Sequence, residues 1–82
     1  MLAQIHITFK DGVLDPQGKT VHHALNDLGY DEVQEVNIGK YMKIKLDSAS
    51  REEAEIRVRE MCEQLLANTV IESFRFTLVD TE

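Results

Sequence analysis

The sequence predicts an α+β sandwich, and its periodicities carry that reading. Three stretches, AQIHITFK, EVQEVNIGKYMKIKLD and IESFRFTLV, alternate apolar and polar residues with the period of a strand. Two others repeat apolar residues at three- and four-residue intervals, the period of a helix. The order is β-α-β-β-α-β, which describes a ferredoxin-like fold: an antiparallel sheet with two helices on one face.

Each element has its own signals. In the first strand Ala3, Ile5, Ile7 and Phe9 share one face, and Gln4, His6, Thr8 and Lys10 share the other. A turn-rich stretch, DGVLDPQG, leads into a helix with Val21, Ala24, Leu25 and Leu28 on its apolar side. Asp15 is placed to cap that helix, Pro16 to occupy its first turn, and Gly29 to end it in a left-handed conformation. The next stretch reads as two strands around a tight turn at Gly39-Lys40, or as one long bent strand. Met42, Ile44 and Leu46 point one way; Tyr41, Lys43 and Lys45 point the other. Ser50 opens a second helix through a capping box with Glu53. Its apolar stripe is Ala54, Val58, Met61, Cys62 and Leu65, and Asn68 is placed to terminate it. In the last strand Phe74, Phe76 and Leu78 face inward, opposite Ser73, Arg75 and Thr77.

Eighty-two residues allow one domain, 1–82, with a thin stability margin, so burial against a second copy would help. The formal net charge of −6 disfavours nucleic acid and anionic membranes. One cysteine excludes an intrachain disulfide and a CxxC motif. With no signal peptide and no long apolar run, the expectation is a soluble cytoplasmic protein.

Gly18-Lys19-Thr20 resembles the end of a nucleotide-binding phosphate loop. That motif needs four residues between its glycines, and Gly12 leaves five here. Pro16 would also sit inside the loop, where it donates no N–H. A capped helix start explains Asp15, Pro16 and Gly18 together. Adjacent His22 and His23 diverge by about 100° on a helix, so they do not share a metal easily. Cys62 sits on an apolar stripe without a recognisable base and reads as core. The second helix carries mixed charge and reads as a solvated face. The outer sheet face carries His6, Lys10, Lys43, Lys45 and Arg75 but few aromatics, so a subunit interface or plain solvation suits it better than RNA. These residues predict no catalytic group, no metal site and no cofactor site in this chain.

Several stretches together resemble one family: GVLDPQG at 12–18, ALNDLGY at 24–30, VNIGK at 36–40 and MCEQLLANTVIE at 61–72. Their order and spacing are similar, over essentially the whole chain, to the PurS family, the small subunit of phosphoribosylformylglycinamidine synthase. Thr69, Asn37 and Phe74 depart from residues common there, namely proline, arginine and tyrosine. The resemblance implies a non-catalytic subunit in de novo purine biosynthesis. It would act as a dimer, bridging an ATP-dependent synthetase subunit and a glutaminase subunit and supporting ammonia transfer. The reaction converts formylglycinamide ribonucleotide to formylglycinamidine ribonucleotide, with ATP and magnesium held by the synthetase partner. The residues expected at partner contacts are Lys10, Asp15, Gly18, Gly39, Lys40, Tyr41, Lys43, Asn68 and Glu72. An ACT-like module binding a small molecule shares the element order and is the alternative.

Overall fold

The computed structural model describes residues 1–47 and 50–80. Strand β1 spans Leu2–Phe9, helix α1 Pro16–Asp27, β2 Lys40–Lys45, α2 Arg51–Met61 and β3 Glu72–Val79. The sheet is antiparallel throughout, in the order β2-β1-β3. Ile5 lies opposite Met42 on one side and Phe76 on the other, so the inward parity read from the sequence holds across all three strands.

The inner face of β1 forms the centre of the core. Ala3, Ile5 and Ile7 are buried against Ala54, Val58 and Cys62 of the second helical stretch, with Leu78 and Ala67 at the margins. Ser50 caps α2 by accepting a hydrogen bond from Glu53 N–H at 3.1 Å. Arg59 lies over the rings of Phe74 and Phe76, 6.0 and 5.4 Å from their centroids, and shields the flank of the core.

Beyond Met61 the helix widens into a π turn, Cys62–Leu66, closed by Ala67 N–H donating to Cys62 O at 3.0 Å. Ala54, Val58 and Cys62 are buried at four-residue steps, but the next buried residue, Ala67, comes five later. The extra residue turns Leu65 away from the core stripe that helical periodicity assigns to it, and Leu65 is 83% exposed.

The α+β ferredoxin-like class predicted from the sequence is observed, but two parts of the pattern stand off the sheet. Residues 33–38, expected as a strand, have no regular secondary structure and join no ladder among the described residues. There is no tight turn at Gly39-Lys40 and β2 begins only at Lys40, so neither the two-strand nor the long-strand reading is observed. Nor does α1 share the sheet face with α2, since the helix in substantial contact with a strand is α2, on β3. The reason is local. Asp15, His22 and Asn26 tie α1 to the segment that follows it, and the two form an arm. The long axis is 51 Å, about twice the ~26 Å that an eight-residue strand spans.

Candidate partner-binding end of the sheet

The antiparallel register brings one end of every strand together. β1 finishes at Phe9 where β2 starts at Lys40 and β3 starts at Glu72. Four of the expected contact segments therefore converge. Lys10 N–H donates to Ile71 O at 2.9 Å, tying the exit of β1 to the entry of β3. Lys40 lies opposite Ile7 and Glu72 opposite Phe9, both on the inner face.

Glu72 organises this end. Its side chain is 12% exposed. One carboxylate oxygen accepts from Asn68 N–H at 2.7 Å, and the other lies 3.9 Å from Lys40 Nζ. Asn68 Oδ1 accepts from Val70 N–H at 3.2 Å, and Asn68 O accepts from Glu72 N–H at 2.7 Å. The turn over 68–72 is thus held by its own polar groups. The Lys40 ion pair is long and exposed on the lysine side, so it orients more than it stabilises.

Asp15 organises the arm. Its side chain is buried, with Oδ1 accepting from Gly18 N–H and Oδ2 from Ile38 N–H, both at 2.8 Å. The first bond is the helix cap expected from the sequence; the second reaches across twenty-three residues and is not legible locally. A Cβ on Gly18 would collide with Val36 O, so this glycine lets the returning backbone touch the helix. Gly39 is confined similarly, because a Cβ there would lie 2.5 Å from Ile7 O. A small cavity of about 90 Å³ lies between arm and sheet, lined by residues that include Gln17, Ile38, Lys40 and Glu72. Tyr41 and Lys43 fall elsewhere, on the open face of β2, with the Tyr41 ring 4.7 Å from that of His6.

Two residues of the arm were not among those expected. His22 Nε2 donates to Val33 O at 2.9 Å, and Asn26 Nδ2 donates to Tyr30 O at 2.9 Å. Carbonyl oxygens only accept, so Nε2 of His22 carries the hydrogen. Their spacing from Asp15, seven and eleven residues, places all three on one helical face and is the signal that could have found them. Gly29, with φ +101°, and Tyr30 N–H donating to Leu25 O then close the helix.

The Ile38 N–H, then the Gly18 N–H, holds the Asp15 carboxyl below its ordinary range, against the opposing effect of burial. A carboxyl with a lower value folded than unfolded contributes stability that is full above its unfolded value, near pH 4, and is lost as pH falls through the folded one. Asp15→Asn should therefore lower the Tm at neutral pH by about 4–8 °C. The gap to the parent protein should close below about pH 4. Thermal melts across pH 2–7 test this, and a pH-independent gap would exclude the linkage.

Chemically, this end is built to hold shape. Gly18 N–H is already bonded to Asp15, and Thr20 Oγ1 donates to Pro16 O at 3.0 Å, so the groups a phosphate would need are engaged. The Asp15 carboxylate would also repel an anion there. Burial pushes the Cys62 thiol up, which keeps it protonated in the core. No helix among the described residues is long and apolar enough to cross a membrane.

Comparison with known proteins matches this architecture to one family. The model of the PurS family, described as phosphoribosylformylglycinamidine (FGAM) synthase, matches residues 2–80. Subunit PurS of phosphoribosylformylglycinamidine synthase from Bacillus subtilis is 49% identical over 73 residues, covering 89% of this chain and 86% of that one. The crystal structure of Methanocaldococcus jannaschii PurS superposes with a TM-score of 0.88 at 38% identity, covering 99% of this chain and 98% of that one. A chain in the structure of PurLQS from Thermotoga maritima superposes with a TM-score of 0.81 at 26% identity, covering 96% and 99%. The extended arm beside a three-stranded sheet, the capped DPQG helix start and the Asn68–Glu72 turn thus occur in a chain that belongs to the PurS family.

Proposed function

We propose that this protein is the small subunit of phosphoribosylformylglycinamidine synthase and joins its other subunits without supplying a catalytic group. The observation that carries this reading is the whole-chain family match, residues 2–80, which includes a relative within a PurLQS assembly. A site whose polar groups are spent on its own turns suits a docking role. In this reading the synthetase subunit binds ATP and magnesium and activates the amide of formylglycinamide ribonucleotide. The glutaminase subunit releases ammonia, and this chain bridges the two in the cytoplasm. The family match leaves the alternative of a small-molecule regulatory module without support.

Reconstitution tests the proposal. Adding this protein to the synthetase and glutaminase subunits should raise glutamine-dependent amidation and leave ammonia-dependent amidation by the synthetase unchanged. Lys40→Glu and Asn68→Ala should each reduce the glutamine-dependent rate at limiting subunit concentration by about 5- to 30-fold, the effect of losing one well-packed contact. Failure to co-elute, with no change in turnover, would refute the assignment.

A further inference from the structure

The outer edge of β3 is closed at both ends and open in the middle. Lys10 N–H donates to Ile71 O, so the odd-numbered residues of β3 turn their backbone groups toward β1. The even-numbered residues turn theirs outward. Two of the outward residues are already engaged. Glu72 N–H donates to Asn68 O at 2.7 Å, and Leu78 O accepts from Arg51 Nη1 at 2.9 Å. Arg51 is in turn 3.5 Å from the Asp80 carboxylate. Between these two caps, the N–H and C=O groups of Phe74 and Phe76 have no backbone partner among the described residues. Such an edge is a template for pairing.

α2 makes this edge one wall of a groove. A cavity of about 320 Å³ is lined by Glu55, Arg59, Phe74, Arg75 and Phe76. A second, of about 250 Å³, adds Ile56, Glu60 and Glu63. Charge divides across the edge. Arg75 lies on the outer face with Ser73 and Thr77, and the three glutamates lie on the α2 side. A second copy of this chain fits poorly here. Two-fold pairing of the open window with itself centres on Arg75 and sets that side chain opposite its own copy, a like-charge pair. An acidic residue on a different chain fits instead.

We propose that β3 accepts an extended segment of the glutaminase subunit as an added strand, paired through Phe74 and Phe76, with an acidic side chain beside Arg75. The proposal rests on the functional reading above and gives one of its two docking surfaces. Main-chain bonds supply affinity, and alternate side chains supply specificity. A basic or apolar side chain of the same segment meets Ile56 and the glutamates of α2. Electrostatics favours the glutaminase over the synthetase as the source. The synthetase handles ATP and a ribonucleotide, which calls for positive potential at its surface. Glutamine carries no net charge, so its enzyme is freer to present an acidic strand.

Amide exchange tests the backbone pairing itself. This protein is exchanged in deuterated buffer alone, with either subunit and with both, then quenched and read residue by residue. In the free chain Phe74 and Phe76 N–H should exchange fast, and Arg75 N–H, facing β1, slowly. With both subunits present, exchange at Phe74 and Phe76 should slow by at least about 10-fold, and leaving out the glutaminase should abolish that protection. Arg75→Glu should raise the glutaminase concentration needed for half-maximal glutamine-dependent turnover by about 10-fold, while Arg57→Glu, outside the groove, should not. An active assembly in which Phe74 and Phe76 still exchange fast overturns this proposal and leaves the functional reading intact. Absence of any assembly overturns both. Protection given by the synthetase alone, or by concentrating this chain alone, also overturns it, because another strand then occupies the edge.

Discussion

Ile5→Ala is expected to be the most damaging single truncation in the body of the protein. Ile5 is fully buried at the centre of the only strand paired on both sides among the described residues, between Met42 and Phe76. Removing its outer carbons loses their transfer energy and leaves a cavity that rigid neighbours on two strands and a helix cannot fill, a cost of about 2–5 kcal/mol. A domain of this length has roughly 4–12 kcal/mol in all. The substitution should therefore lower the Tm by at least about 10 °C. Thr8→Ala, on the exposed face of the same strand, should change stability by no more than about 0.5 kcal/mol. Equal effects at the two positions would show that the core is not where the burial pattern places it.

Gly18→Ala should lower stability too, against the usual sign for such a change. Replacing glycine by alanine inside a helix normally gains about 0.5–1 kcal/mol. Here the new Cβ would meet Val36 O and lie 2.9 Å from the Asp15 carboxyl group, atoms that cannot both move aside while Asp15 still bonds Ile38 N–H. Overpacking of this kind costs about 1–3 kcal/mol, which outweighs the propensity gain. The arm should open at its base, read as a lower Tm and faster amide exchange at Ile38 in the variant than in the parent protein. A stabilised variant would mean that Val36 does not rest on the helix.

The sequence made elements legible where the signal is local and missed what depends on a distant partner. The strand faces, the Asp15 cap, the Ser50 cap and the left-handed Gly29 each follow from residues within a few positions, and all are observed. Neither the two-strand nor the long-strand reading of this stretch anticipated that residues 33–38 leave the sheet, because the bond from Ile38 N–H to Asp15 that ties them to α1 spans twenty-three residues. Similarly, the apolar stripe of α1 identified a helix correctly but not its placement, which follows from the bonds of Asp15, His22 and Asn26 to the segment after it. At the candidate site, Lys40, Asn68 and Glu72 were each named from turn and motif positions. Their convergence on one carboxylate needed the antiparallel register, which sets the starts of β2 and β3 side by side. Tyr41 and Lys43 share a strand with Lys40, yet they project to another surface because parity separates them.

The π turn after α2 has a consequence for how this small protein acquires a surface. Leu65 belongs by composition and spacing to the interior, and nothing about its identity marks it for contact. One additional residue in the helical repeat acts as a phase slip that exports this leucine to solvent, where Val70, 81% exposed, also presents an apolar side chain. A chain too short to dedicate separate segments to stability and recognition can thus draw both from one amphipathic helix, with the changeover set by where its winding changes.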